Sequence, residues 1–264
     1  MNMNTDPIIE IKDMKTKLGG EWVHKNINLT VNRGEVLAIV GGSGSGKTTL
    51  LREMLALTKP TSGSIKVFGQ EITQASPKTL LAIQKRWGTL FQQSALFSSL
   101  TLEENVAFPL KEHTNLDQQT IADLAFLKIM LAGLPQEAGL KFPAELSGGM
   151  QKRAGLARAL VLDPEIVFLD EPTSGLDPVT AAGFDQLIAD LQSSMGLTIV
   201  MVTHDIDSLW RIANRVAFLG EGVVLDVDTM PKLMKNPNPM IQAFFNGPRG
   251  RAAAESQQGT NHGN

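Results

Sequence analysis

The segment Gly41-Gly42-Ser43-Gly44-Ser45-Gly46-Lys47-Thr48 has the residue types and spacing that hold phosphate. It fits G-x-x-x-x-G-K-[S/T]. The glycines let the backbone turn so that successive N–H groups face phosphate oxygens. A helix starting there adds the positive end of its dipole. Lys47 then reaches the β- and γ-phosphates, and the Thr48 hydroxyl is a ligand for Mg2+. With Thr49, residues 41–49 form the expected nucleotide site. A dinucleotide loop of the Rossmann type is excluded, because lysine stands where the third glycine of G-x-G-x-x-G belongs.

Asp170 and Glu171 follow the apolar run Val167-Phe168-Leu169. Ligands of open α/β sheets bind at the carboxyl ends of strands. Asp170 is expected to hold Mg2+ through water and Glu171 to polarise the attacking water. An isolated Asp-Glu is commonly a solvated turn, but a phosphate loop upstream favours chemistry. Leu146-Ser147-Gly148-Gly149-Met150 opens a helix expected over 150–160. A serine hydroxyl and glycine N–H groups at a helix N-terminus make a second anion site. Two such sites in one chain point to a nucleotide shared between two chains.

The elements that must position these residues alternate. Val36–Val40 is a continuous apolar run ending in glycine, the pattern of a strand buried on both faces. Residues 8–13, 27–31, 64–68, 89–91, 166–169 and 198–203 read as strands, and 215–219 with 223–227 as a closing pair. Helices are expected over 47–57, 178–194 and 205–212. Between about 101 and 144 the strand runs stop, and Ile121, Leu124, Ala125, Lys128 and Ile129 fall on one helical stripe. The fold class is therefore α/β, with a mainly parallel sheet.

Composition narrows the rest. The chain has 264 residues, 42% hydrophobic and 19% charged, as in an ordinary globular protein. A net charge of −3 argues against a nucleic-acid partner. Cysteine is absent, which removes disulfides and thiolate metal sites. No apolar run reaches the roughly 18 residues of a membrane span. The first ten residues lack the basic and apolar regions of a signal peptide. Residues 247–264 are poor in large apolar side chains and read as a disordered tail.

The ordered motifs resemble those of ABC ATPases over about residues 7–246, with Ser147-Gly148-Gly149 as the signature. The resemblance implies a P-loop NTPase core with an N-terminal antiparallel β part and an inserted helical subdomain at about 101–163. It implies ATP and Mg2+, and a homodimer in which Ser147, Gly148 and Gly149 of one subunit meet the γ-phosphate held by the other. Gln92 matches the glutamine that senses the γ-phosphate and Mg2+ and borders the transporter contact. Ser174-Gly175-Leu176-Asp177 matches the loop that crosses the dimer interface, and His204 the γ-phosphate histidine.

Two departures stand out. Met150 replaces the usual glutamine of the signature. The chain has no tyrosine, and Leu18-Gly19 occupies the place of the usual aromatic-glycine pair that stacks on adenine. Trp22 could substitute, Leu18 could give apolar contact alone, or Trp22 could be a plain surface or core residue; weak adenine discrimination is expected.

Residues 92–114, with Leu146 to Arg153, resemble the ATPases of the Mla phospholipid system and others paired with Mce-domain proteins. That likeness implies phospholipid movement between inner and outer membranes. The chain would lie on the cytoplasmic face of the inner membrane, with an integral membrane permease, an Mce-domain protein and a STAS-domain protein as partners. Phe91, Leu96, Phe97, Leu100, Phe108 and Leu110 are expected mostly in the helical core, with some available as a groove for a permease helix. Alternatives are a transport ATPase for amino acids or lipoproteins, and a soluble non-transport ABC ATPase.

Overall fold

The structure, a computed structural model, describes residues 7–247. The expected tail, apart from Gly247, lies outside the described residues. Contacts divide the chain into two units, one formed by 7–73 with 202–247 and the other by 74–201.

In the first unit, β1 (Pro7–Leu18) and β2 (Glu21–Asn32) form an antiparallel hairpin turned by Gly19-Gly20, both at positive φ. Both strands are longer than their apolar patterns. Near the hairpin tip most side chains are exposed and polar, so backbone pairing continues where the apolar signal ends. Here Lys17 pairs with Trp22 and Leu18 with Glu21. β4 (Ser62–Val67) pairs antiparallel with β1, and β5 (Gln70–Glu71) with β4. β3 (Val36–Val40) is buried at every position and runs parallel to β9 (Arg215–Gly220). β10 (Val223–Asp228) is antiparallel to β9 and parallel to β2. The order within this unit is β5-β4-β1-β2-β10-β9-β3.

Helix α1 (Lys47–Met54) stops short of residue 57, because Ala56 takes a left-handed φ of 54°. α7 (Ile206–Ile212) is capped by Asp205. α8 (Met230–Leu233) and α9 (Pro239–Phe245) carry no counterpart in the sequence reading. α9 is held by Phe244 and Phe245, whose rings lie 5.4 and 6.3 Å from that of Phe218.

In the second unit, β6 (Trp87–Leu90) runs parallel to β7 (Ile166–Asp170), and the order is β8-β7-β6 with β8 (Thr198–Val202). The short α2 (Pro77–Gln84), capped by Ser76, precedes β6. α3 (Leu102–His113), α4 (Gln118–Leu131) and α5 (Gly148–Leu160) enclose a cluster that includes Val106, Ile121, Ala125, Ile129 and Ala157. The stripe on α4 points inward at Ile121, Ala125, Lys128 and Ile129, and Lys128 pairs with Asp163. α5 presses on β6: a Cβ on Gly88 would lie 2.0 Å from the Ala159 carbonyl oxygen. α6 (Pro178–Met195) follows β7.

Candidate nucleotide-binding and hydrolysis site

The buried strand β3 delivers the chain to Gly41, where a Cβ would lie 2.1 Å from the Leu219 carbonyl oxygen of β9. Only glycine fits there. Gly42, Ser43 and Gly44 are exposed, Ser45 and Thr49 half-buried, and Thr48 exposed at the start of α1. Gly46 caps α1 with no side chain, so no side-chain acceptor of its own occupies the N–H groups of the first turn. Lys47 Nζ donates to the carbonyls of Gly41 and Gly42 at 3.0 and 2.9 Å, which lays the ammonium over the loop. The Ser45 hydroxyl oxygen is buried without a hydrogen-bond partner.

The second unit brings Gln92, Glu171 and a residue the sequence reading missed to one point. Lys152 Nζ donates to the Gln92 carbonyl at 2.6 Å and to the Glu171 carbonyl at 2.9 Å. Burial pushes this ammonium below the usual lysine range, while the charges of Glu171 and Asp170 pull the other way. A signal existed in the sequence: Lys152, Leu156 and Ala159 share the buried stripe of α5, an unusual place for lysine. Asp170 is buried at the end of β7. Glu171 next to it has a left-handed φ of 49°, a strained conformation of the kind concentrated at functional sites. The Gln92 side chain is exposed, and Arg158 steadies the turn after it by donating to Ser94 and Ala95 carbonyls, both at 2.7 Å.

Ser147 caps α5, its Oγ accepting from Met150 N–H at 3.3 Å. Gly149 is crowded, since a Cβ would lie 2.8 Å from Thr180 Cγ2 on α6, whereas Gly148 has 4.0 Å of clearance to Leu176. Asp177 caps α6, accepting from the Val179 and Thr180 N–H groups. The Thr180 hydroxyl and these backbone donors hold its carboxyl below the usual range. In the first unit His204 is exposed just past β8, before the turn in which Asp205 N–H donates to Thr203 Oγ1. Leu18 and Trp22 stand at the hairpin tip, 44% and 48% exposed, which makes Trp22 a surface residue. Lys17 Nζ lies 5.8 Å from the centre of its ring.

The sequence model of the ABC transporter family matches residues 24–174, more than half of the chain. The chain belongs to that family. It is 38% identical over 247 residues to the intermembrane phospholipid transport system ATP-binding protein MlaF of Haemophilus influenzae, covering 94% of this chain and 92% of that protein. It is 40% identical over 241 residues to the probable ribonucleotide transport ATP-binding protein mkl of Mycobacterium leprae, covering 91% and 69%. A solved dimeric ATP-binding cassette, MJ0796 in a post-hydrolysis state with ADP and Pi, matches with a TM-score of 0.77. It shares 33% identity over 84% of this chain and 98% of that one.

As an ABC cassette the protein binds ATP and hydrolyses it with Mg2+. Its residues fit both. The glycine-lined turn and the side-chain-free start of α1 suit phosphate. For the metal, the first unit offers the Thr48 hydroxyl and the second, taken by itself, the Asp170 carboxylate and the Gln92 amide, each an oxygen donor of the hard kind that Mg2+ takes. Among the described residues no group of three or more His, Cys, Asp or Glu is placed to hold a metal.

Proposed function

We propose that this ABC cassette powers phospholipid transfer between the inner and outer membranes. It would work as a homodimer on the cytoplasmic face of the inner membrane, beneath a permease, with Mce-domain and STAS-domain proteins in the same complex. No described helix is long and apolar enough to cross a membrane, so a permease would supply the membrane contact. The observation that carries the permease reading is an open apolar groove of about 490 Å3 beside Gln92. Phe91, Phe97 and Phe108 line it, with Phe97 and Phe108 in ring contact at 4.9 Å. Phe91, Leu96, Phe97, Leu100, Phe108 and Leu110 were expected mostly in the helical core with some available as a groove, and of the six only Leu110 is buried. Phe97 is 46% exposed, because the turn after Gln92 faces it outward. Such a surface suits the apolar face of a helix. The phospholipid reading is supported by the relative matched over 92% of its length and by the likeness of residues 92–114 to Mla-type ATPases. The mkl relative keeps another cargo as the second reading.

In the proposed cycle, residues 41–49 hold ATP phosphates, with Lys47 on the β- and γ-phosphates and Thr48, Asp170 and Gln92 on Mg2+. Glu171 orients or deprotonates the attacking water, and His204 stabilises the γ-phosphate. Ser147, Gly148 and Gly149 complete the site of a second copy, and Ser174 to Asp177 cross the interface. Leu18 and Trp22 remain the candidates for adenine. The domain is taken as 7–246, with the helical subdomain at about 101–163. Purification of the chain from membranes with its permease tests the cargo. A co-purifying Mce-domain subunit supports phospholipid transfer, and a complex with a substrate-binding protein overturns it. Phe97→Ala and Leu100→Glu are expected to abolish permease stimulation of turnover while basal hydrolysis stays. Normal stimulation in both would remove the groove from the coupling.

A further inference from the structure

Beneath the phosphate loop, within the first unit, lies a polar trio that ATP chemistry does not use. Thr16 of β1, His24 of β2 and Glu53 of α1 are 0%, 0% and 1% exposed. Thr16 and His24 are cross-strand partners. The Thr16 hydroxyl donates to Glu53 Oε1. His24 Nδ1 lies 3.0 Å from Glu53 Oε2, off the straight line of an ordinary hydrogen bond. Its other nitrogen, Nε2, lies 3.2 Å from the Gly46 carbonyl oxygen. Apolar residues would fill this space at less cost, since buried ionisable pairs are weak sources of stability.

The contacts fix where the protons sit. The Gly46 carbonyl only accepts, so the ring nitrogen 3.2 Å from it carries a hydrogen if that contact is a hydrogen bond. A neutral imidazole with its one hydrogen on Nδ1 would leave Nε2 bare against that carbonyl. Neither Nδ1 nor Glu53 Oε2 has a hydrogen-bond partner, so the contact at Nε2 decides the ring. That contact puts a hydrogen on Nε2, donating to Gly46.

That carbonyl also accepts from Leu50 N–H at 2.8 Å, so its two lone pairs serve α1 and His24. The Gly46 C=O and the Lys47 N–H belong to one planar trans peptide and point in opposite directions. Holding the carbonyl against His24 therefore turns the Lys47 N–H away from the core. Gly46 sits at φ 97° with no side chain of its own, so His24 adds a side-chain anchor to the one bond that α1 supplies. We infer that His24, oriented by Glu53 and Thr16, is a positioning residue that locks the Gly46–Lys47 peptide so that its N–H faces the nucleotide phosphates. It acts without touching nucleotide, and its effect falls on phosphate binding more than on the chemical step.

Equilibrium binding of Mg-ADP to the full chain tests this, beside the thermal midpoint measured without nucleotide. His24→Phe keeps the ring and removes the donor. It is expected to weaken binding roughly three- to tenfold, the scale of one net hydrogen bond. KM for ATP should rise while kcat stays within about twofold. His24→Gln restores an amide donor and should recover most of the affinity. Glu53→Gln, which can still accept from Thr16 and donate to Nδ1, should bind normally, whereas Glu53→Leu should resemble His24→Phe. Equal weakening in the Phe and Gln variants at position 24 would reduce His24 to core filling. So would a lower midpoint with unchanged affinity in His24→Phe. The unmutated protein gives an independent reading, since its four histidines can be resolved by 15N NMR. A hydrogen on Nε2 of His24, with and without Mg-ADP, is expected, and a bare Nε2 would overturn the inference.

Discussion

Helices α1 and α5 both begin on glycine-bearing turns, yet their ends are finished in opposite ways. At α1 the cap is Gly46, which brings no side-chain acceptor. The loop is held instead from its flanks, by Lys47 on the Gly41 and Gly42 carbonyls and by His24 against the Gly46 carbonyl. At α5 the cap is Ser147, which satisfies its own helix through Met150 N–H. The first turn is an open receptor that gains most from a ligand. The second is already satisfied as an isolated helix end, and it keeps a hydroxyl hydrogen with which to donate. The glycines differ in the same sense. Gly41 and Gly46 are required by this chain, since a Cβ would come within 2.1 and 2.6 Å of other atoms. Gly148 has 4.0 Å of clearance and no left-handed backbone, so the fold of one chain gives no reason for glycine there. A close approach from outside the chain would.

The largest expected effect separates chemistry from both anion turns. Glu171→Gln should lower turnover by about 10²–10⁴-fold, the usual share of a positioned acid or base, with Mg-ATP affinity unchanged. Retained turnover would remove Glu171 from its assigned role and leave the two turns as the main contributors. Next comes a matched pair. Gly46→Ala forces a left-handed alanine against His24 and should cost about 1–3 kcal/mol in denaturant unfolding. Gly148→Ala should stay within about 0.5 kcal/mol of the parent yet lose turnover at saturating ATP. Equal destabilisation by both would erase the contrast drawn above.

The smallest effect sharpens it. Ser147→Ala should cost about 1 kcal/mol through the lost cap. Ser147→Asp keeps a capping acceptor, so its unfolding midpoint should match the parent while its carboxylate repels phosphate and lowers turnover. If Ser147→Asp hydrolyses ATP normally, the α5 turn is a cap and nothing more.

Legibility followed distance along the chain. The phosphate loop could be read because strand, glycines, lysine and helix are consecutive. Asp170 and Glu171 could be read because they end an apolar strand. The hairpin was under-read, since residues such as Lys15, Lys17 and Lys25 are exposed and leave no apolar alternation to find. α8 and α9 went unread because they are too short to show a helical period. Which of the apolar residues Phe91, Leu96, Phe97, Leu100, Phe108 and Leu110 lie in the core and which line a groove could not be read, because apolar type is local information, whereas the side that Phe97 faces depends on the turn after Gln92. The buried Lys152 needed the bend that brings the Gln92 and Glu171 carbonyls to one ammonium.

The sequence by itself determined the family, the phosphate chemistry and the residues that bracket it, because these depend on local order and residue type. Only the tertiary structure decided what holds the loop in place. His24 lies 22 residues from Gly46, and Thr16 lies 37 from Glu53. Each of them taken alone reads as an ordinary polar residue of a strand or helix. Buried together, they have few ways to satisfy their hydrogen bonds, and the contact at Nε2 directs a donor at the Gly46 carbonyl.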